Sequence, residues 1–149
     1  MPHITSSIDI AAPADAVWDL MNQPARYSEF AEPVDEMLDI GDGIVKEGYV
    51  YKERGGIPPF KADSTWTVTS FEPMTRQVHD GDDGKMKMHL DIRIESTDSG
   101  SRLTQSIDLE PVWYLAPVNA VLWPLIMRKR GQEAMDKTVA NVKRIVEAG

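Results

Sequence analysis

The chain contains no cysteine. That excludes disulfides, thiol nucleophiles and Cys-ligated zinc. Histidine is scarce, with three residues at positions 3, 79 and 89, and no pair has metal-ligand spacing. His89 belongs to the polar face of its strand pattern, and His79 is expected there too, because its neighbour Val78 is the apolar one. The sequence also lacks H-E-x-x-H, G-x-S-x-G, G-x-G-x-x-G and a Walker A loop, so no metal and no cofactor is expected. Positive charge is in short supply, and the net charge is −8. Sequence-nonspecific DNA or RNA binding needs Lys and Arg to neutralise phosphates, so nucleic acid is not an expected partner. MPHITSSIDI has neither a basic n-region nor a continuous apolar h-region, so no signal peptide is expected. No apolar run reaches the ~20 residues of a spanning helix. A cytoplasmic protein is the expectation.

The remainder is an ordinary globular mixture, with 42% hydrophobic and 27% charged residues in 149 positions. It suits one domain with a sizeable core and argues against disorder. Charge is unevenly placed. Residues 1–123 carry 10 Lys/Arg against 21 Asp/Glu, a net of −11, while residues 124–149 carry 6 against 3, a net of +3. The basic end follows the most distinctive segment, VWYLAPVNAVLWPLIM at 112–127, which runs straight into Arg128-Lys129-Arg130. Pro117 and Pro124 interrupt that segment. Alone it reads as a membrane anchor, a buried helix or the lid of an apolar pocket.

Hydrophobic periodicity assigns the elements. Ile4, Ser6, Ile8 and Ile10 alternate with polar neighbours, which predicts a strand. After Pro13, Val17, Trp18 and Met21 fall at helical spacing, with Pro13 and Asp15 suited to a helix N-terminus. A second short helix is expected around Ala25–Phe30. Strand-like runs follow at about 34–40, 44–53, 61–71, 75–80, 85–96 and 101–111. The breaks between them are Gly41-Asp42-Gly43, Gly55-Gly56 through Pro58-Pro59, Glu72-Pro73, Asp80–Gly84 and Thr97–Gly100. Short strands with Gly/Pro punctuation predict an antiparallel meander. Asp80–Gly84 resembles a calcium loop but lacks the later acidic ligands, so it reads as a solvated hairpin turn. The faces of Tyr49 and Tyr51 stay undecided, because alternation across 44–53 is poor.

The hairpin of the last two strands is specified most closely. Met86, Met88, Leu90, Ile92 and Ile94 form one apolar face, and Leu103, Ile107 and Leu109 form the other. With Thr97–Gly100 as a four-residue loop and Gly100 left-handed, Ile94 faces Leu103 and Leu90 faces Ile107. Gln105 then falls opposite Ile92 on the apolar face. A buried amide there is either a structural group or a polar contact within a cavity. In the last segment Gly131, Met135, Thr138, Val139, Val142, Ile145 and Val146 recur at three- and four-residue steps, the stripe of a long amphipathic helix. Gly131 on that stripe implies a close approach or space left for something else. Projected backwards, the stripe puts Arg128 near the direction of Met135, where its guanidinium either snorkels to water or anchors an anionic or carbonyl group.

The order is therefore strand, two short helices, about six antiparallel strands and a long helix. One apolar stripe and one apolar sheet face should meet. This is an α+β fold in which a curved antiparallel sheet of about seven strands wraps around a long C-terminal helix. Ile8-Asp9-Ile10-Ala11-Ala12-Pro13-Ala14-Asp15-Ala16-Val17-Trp18, Pro24–Phe30, Trp66–Pro73 and Asn141-Val142-Lys143 carry a resemblance to the START-like helix-grip (SRPBCC) superfamily, specifically its polyketide cyclase/dehydrase and lipid-transport group. The sequence departs from relatives at Asn22-Gln23, where an Asp is common, and at Phe30, where Trp is common. The resemblance implies an internal cavity for an apolar or aromatic small molecule. The catalytic members' Arg, Tyr, Ser or Asp set has no residue-by-residue match here.

Candidate wall residues from the sheet are Trp66, Met88, Leu90, Ile92, Gln105 and Ile107. Those from the last segment are Trp113, Tyr114, Trp123, Arg128 and Met135. Three functions fit these readings. One is a carrier or binding protein for a hydrophobic, lipid-, quinone- or polyketide-like ligand. The second is a polyketide cyclase, aromatase or dehydratase using the same cavity. The third is a membrane-surface or protein-interaction module built on residues 112–130, since a basic apolar segment suits a peripheral membrane contact. Whether the protein is catalytic, and its oligomeric state, are left open by the sequence.

Overall fold

The alternating and helical patterns form seven strands and four α-helices in a computed structural model that describes residues 2–58 and 60–149. β1 (His3–Ile10) is followed by α1 (Ala14–Met21), a 3-10 turn (Pro24–Arg26) and the single-turn α2 (Tyr27–Phe30). Then come β2 (Val34–Asp39), β3 (Val50–Gly55), β4 (Ala62–Glu72), β5 (Arg76–Asp82), β6 (Met86–Thr97) and β7 (Gly100–Pro111). The chain closes with α3 (Ala116–Leu122), a π turn (Trp123–Met127) and α4 (Arg128–Ala148). All strands join one antiparallel sheet in the order β1-β7-β6-β5-β4-β3-β2. α4 lies across its inner face. This is the helix-grip architecture expected from the element order.

The β6–β7 register is the expected one, with Ile94 opposite Leu103, Ile92 opposite Gln105 and Leu90 opposite Ile107. The connection is tighter than expected. Thr97 pairs with Gly100, which leaves a two-residue turn. Gly100 has φ +148°, and a Cβ there would come within 2.2 Å of the Ile10 carbonyl oxygen. Only glycine fits.

Two other boundaries moved for physical reasons. The run expected to start at 44 becomes a strand only at Val50, because Gly48 at φ +90° bends the chain ahead of it. β5 continues through Gly81, inside the expected Asp80–Gly84 break. Gly81 has no side chain because the Trp66 ring lies on it, with a Cβ position only 2.6 Å from Trp66 Cδ2. The remaining turn is the solvated hairpin expected. Asp83 Oδ1 accepts from the Lys85 and Met86 N–H groups, and Asp82 Oδ1 accepts from that of Gly84. Pro59, counted in the Gly55–Pro59 break, lies outside the described residues.

The inner face of the sheet divides along its length. At one end Ile92, Ile94 and Leu103 meet Val17, Trp18, Leu20 and Met21 of α1 and Val139 and Val142 of α4 in the buried core. Each such side chain contributes roughly 1.5–3 kcal/mol before entropy costs. At the other end no α1 covers the sheet, and α4 presents Gly131 and Ala134 instead of large residues. Gly131 allows a close approach, since its Cβ position lies 2.5 Å from Ile4 Cδ1 on β1. Small residues on the helix facing half-buried Met86, Met88 and Leu90 leave unfilled space.

Candidate functional site

That space is a cavity of about 230 Å³ between the sheet and α4. Met86, Met88, Leu90, Ile107 and Leu109 line the sheet side, and Met127, Gly131, Ala134 and Met135 the helix side. Trp66 and Trp123 are also on the wall. A second space of about 250 Å³ lies beyond, between the sheet end and α3, lined by Leu115, Asn119, Leu122 and Pro111 among others. The two share Phe60, Ala62, Asp83, Met86 and Met127 as walls. Together they approach the several hundred Å³ usual for a small-molecule site.

Of the residues singled out in the sequence, the structure gathers Trp66, Met88, Leu90, Gln105, Ile107, Trp123 and Met135 on this wall. Ile92 is placed deeper, in the solid core against α1. Trp113, Tyr114 and Arg128 are exposed and not on the wall. The projection of the α4 stripe misjudged Arg128. The wall positions Met127, Gly131, Ala134, Met135 and Thr138 centre near Gly131, and Arg128 falls about 60° to one side at 100° per residue. Trp113 and Tyr114 leave the sheet with the chain after Pro111, in a 3-10 turn that has no buried residue.

The most consequential side chain was not singled out. Tyr51 and Glu53 alternate with exposed Lys52 and Arg54 on β3, so both point inwards. Glu53 is 9% exposed and lies on the cavity wall. It has no ion pair with any described residue, and the Trp66 indole is a hydrogen-bonding side chain beside it. Burial pushes its carboxyl up to about 7, and the nearby Trp66 indole opposes this. The indole N–H itself donates to Ser64 Oγ at 2.9 Å. A carboxyl group desolvated in this way is neutral for part of the time near pH 7. The signal was present in Tyr51–Arg54, but a strand run drawn from 44 obscured it.

Two further polar groups on the wall have unused capacity. Gln105 is 4% exposed, and its side-chain amide has no partner among the described residues. Ser64 accepts from Trp66 and keeps its own hydroxyl proton to donate. Thr138 is committed, donating to the Ala134 carbonyl and accepting from the Glu32 N–H.

Behind the wall runs a chain of buried hydrogen bonds. His79 is 2% exposed, on the inner face rather than the polar face expected. Gln77, Val78 and His79 are all buried, so burial does not alternate along β5 and an apolar Val78 does not turn its neighbours outwards. His79 Nε2 faces Gln77 Oε1 at 2.8 Å and must carry the proton, so Nδ1 accepts from the Tyr51 hydroxyl at 2.7 Å. Gln77 Nε2 donates on to Asn22 Oδ1 at 2.5 Å. The chain requires a neutral imidazole, and burial brings His79 down to about 4. Tyr51 stacks on Trp66, with ring centroids 6.3 Å apart. The buried Tyr27 hydroxyl has no partner among the described residues, and burial and the Tyr49 and Glu53 charges raise its pKa far above the usual tyrosine range.

A curved sheet gripping a helix, with an apolar cavity and a few polar groups between them, defines a helix-grip protein with an internal cavity. The chain belongs to the polyketide cyclase / dehydrase and lipid transport family, whose model matches residues 1–147. Its fold is similar to that of TTHA0849 from Thermus thermophilus, with TM-score 0.77 and 14% identity over 99% of this chain and 98% of that one. It is also similar to protein CV1439 from Chromobacterium violaceum, with TM-score 0.70 and 16% identity over 99% of both chains. The Polyketide_cyc-like protein Cgl2372 from Corynebacterium glutamicum matches with TM-score 0.63 and 22% identity over 99% and 94%. At these identities the likeness is one of fold. No curated protein matches the chain significantly. Among the described residues no helix is long and apolar enough to cross a membrane.

Proposed function

We propose that this protein binds a hydrophobic or aromatic small molecule, lipid-, quinone- or polyketide-like, in the cavity between the sheet and α4. The observation that carries this reading is a wall of Met, Leu, Ile and Trp side chains interrupted by few polar groups. Membership of the family supports it. Glu53 and Gln105 sharpen the ligand's description. Both residues line the cavity, where a ligand's polar group can take the hydrogen bonds that water would otherwise make. The ligand is therefore an apolar body carrying a hydroxyl or similar hydrogen-bond donor. Mass spectrometry of small molecules released from purified protein tests the reading, with a Leu90→Trp variant that fills the cavity as control. A molecule released from the native chain and absent from Leu90→Trp is the expected result. Two empty proteins, with naphthalene and 2-naphthol also failing to bind the native chain, would refute it.

A second reading is favoured by Glu53 alone. A carboxyl balanced near neutrality in an apolar site suits general acid–base work on a carbonyl substrate. Deuterium exchange at the α-carbon of an aryl 1,3-diketone measures this. Exchange accelerated by the native protein and not by Glu53→Gln supports an enzyme, and equal exchange rates leave the carrier.

A further inference from the structure

The segment Trp113–Met127 contains no buried residue in its 3-10 turn, α3 or π turn. That is anomalous for so apolar a sequence, since a helix apolar all round is normally covered. Its two sides have different neighbours. Leu115, Asn119 and Leu122, at steps of four and three, face the second cavity. Tyr114, Val118, Val121 and Leu125, offset by one residue at spacings of four, three and four, are exposed. Val118 reaches both sides. Trp113 is 84% exposed and Leu125 72%. Scattered exposed apolar residues need no explanation, but a contiguous stripe of them marks an interaction surface.

Charge identifies what covers it. No Asp or Glu occurs between Glu110 and Glu133, and exposed Arg128, Lys129 and Arg130 close the stripe. Residues 1–123 carry a net −11. An anionic lipid surface attracts the basic end, repels the acidic body and takes aromatic and aliphatic side chains into its headgroup boundary. A second copy of this chain would bring Arg128–Arg130 towards their own counterparts in a two-fold contact.

We propose that the exposed face of residues 113–130 docks this protein on anionic lipid bilayers. Docked this way, α3 lies between the bilayer and the second cavity. Docking does not depend on what the cavity holds.

Co-sedimentation with vesicles of phosphatidylcholine and phosphatidylglycerol, against phosphatidylcholine alone, is the test. Expected results are binding to the anionic vesicles, weakening with added salt, and a blue shift of tryptophan emission. Trp113→Ser with Leu125→Ser, and separately Arg128→Glu with Lys129→Glu, should each reduce partitioning about tenfold or more at unchanged melting temperature. All four positions are exposed, so these variants fold. No association of the native chain with the anionic vesicles would overturn the proposal. A lipid-free dimer broken by Trp113→Ser with Leu125→Ser, together with no vesicle binding, would assign the face to a second copy instead.

Discussion

Glu53 should destabilise the fold at neutral pH, and replacing it should show this directly. An ordinary glutamate near 4.5 becomes one near 7 inside the protein. That difference corresponds to about 3 kcal/mol. The sign follows from proton counting. Between these values the folded state holds a proton that the unfolded state has released, so Glu53's contribution is present below about pH 4.5 and lost as pH rises through about 7. His79 works in the opposite sense. Its neutral form is the buried one, with a value near 4 against an ordinary 6.5, so it contributes stability that is lost as pH falls through that window. The two nearly cancel in the native chain, whose stability should be flat between about pH 4.5 and 6.5. Glu53→Gln removes one of the opposing effects. The variant should equal the native chain near pH 4.5 and exceed it by about 1–3 kcal/mol at pH 8, the lower figure allowing for a buried amide. Urea unfolding followed by tryptophan fluorescence at pH 4.5, 6 and 8 reads it. A stability difference between the two proteins that does not change with pH would refute the reasoning.

Further expectations concern the core and the polar chain behind the wall. Val142→Asp places an unpaired charge at a fully buried site and should cost about 3–5 kcal/mol, so thermal melting should show an unfolded or strongly destabilised domain. His79→Leu leaves the Tyr51 hydroxyl and Gln77 without their partner and should cost about 1–3 kcal/mol at pH 7, and with the Glu53 effect no longer opposed the variant should be more stable at pH 5 than at pH 7, as urea melts at the two values would show. Gly131→Ala gains helix propensity of about 1 kcal/mol but drives a Cβ into Ile4 Cδ1. Combined with Ile4→Val it should be more stable than the sum of the two single changes, and additive melting shifts would show that no clash exists.

Periodicity settled most of the architecture. Strict alternation in Met86–Ile94 and Leu103–Leu109 leaves one register that puts both apolar sets on one face, so the Ile92–Gln105 pairing is legible in the sequence alone. The recurrence from Gly131 to Val146 likewise defines the helix that the sheet grips. Periodicity reports which face is buried, not what lies opposite it. Ile92 and Leu90 share a face and a pattern, yet one is in solid core and the other on a cavity wall, because α1 covers only one end of the sheet.

The rest was decided in three dimensions. Glu53, Gln77 and His79 are polar residues on inner faces, and a hydropathy pattern counts a polar residue as an outward one. Burial of His79 is tolerated because Tyr51 and Gln77 satisfy it, and that of Gln77 because Asn22 Oδ1 accepts from its amide, while Glu53 faces the cavity. The 112–127 run was apolar enough to suggest burial or a membrane, and folding left it uncovered because the sheet ends at Pro111 and α4 begins its contact with β1 near Gly131. The sequence by itself determined the order of elements, the inner register and the acidic body with its basic end, since these depend on neighbours along the chain. The tertiary structure alone decided where the grip stays empty, which carboxyl faces that space and which apolar face remains without cover, because each depends on residues far apart in sequence meeting or failing to meet.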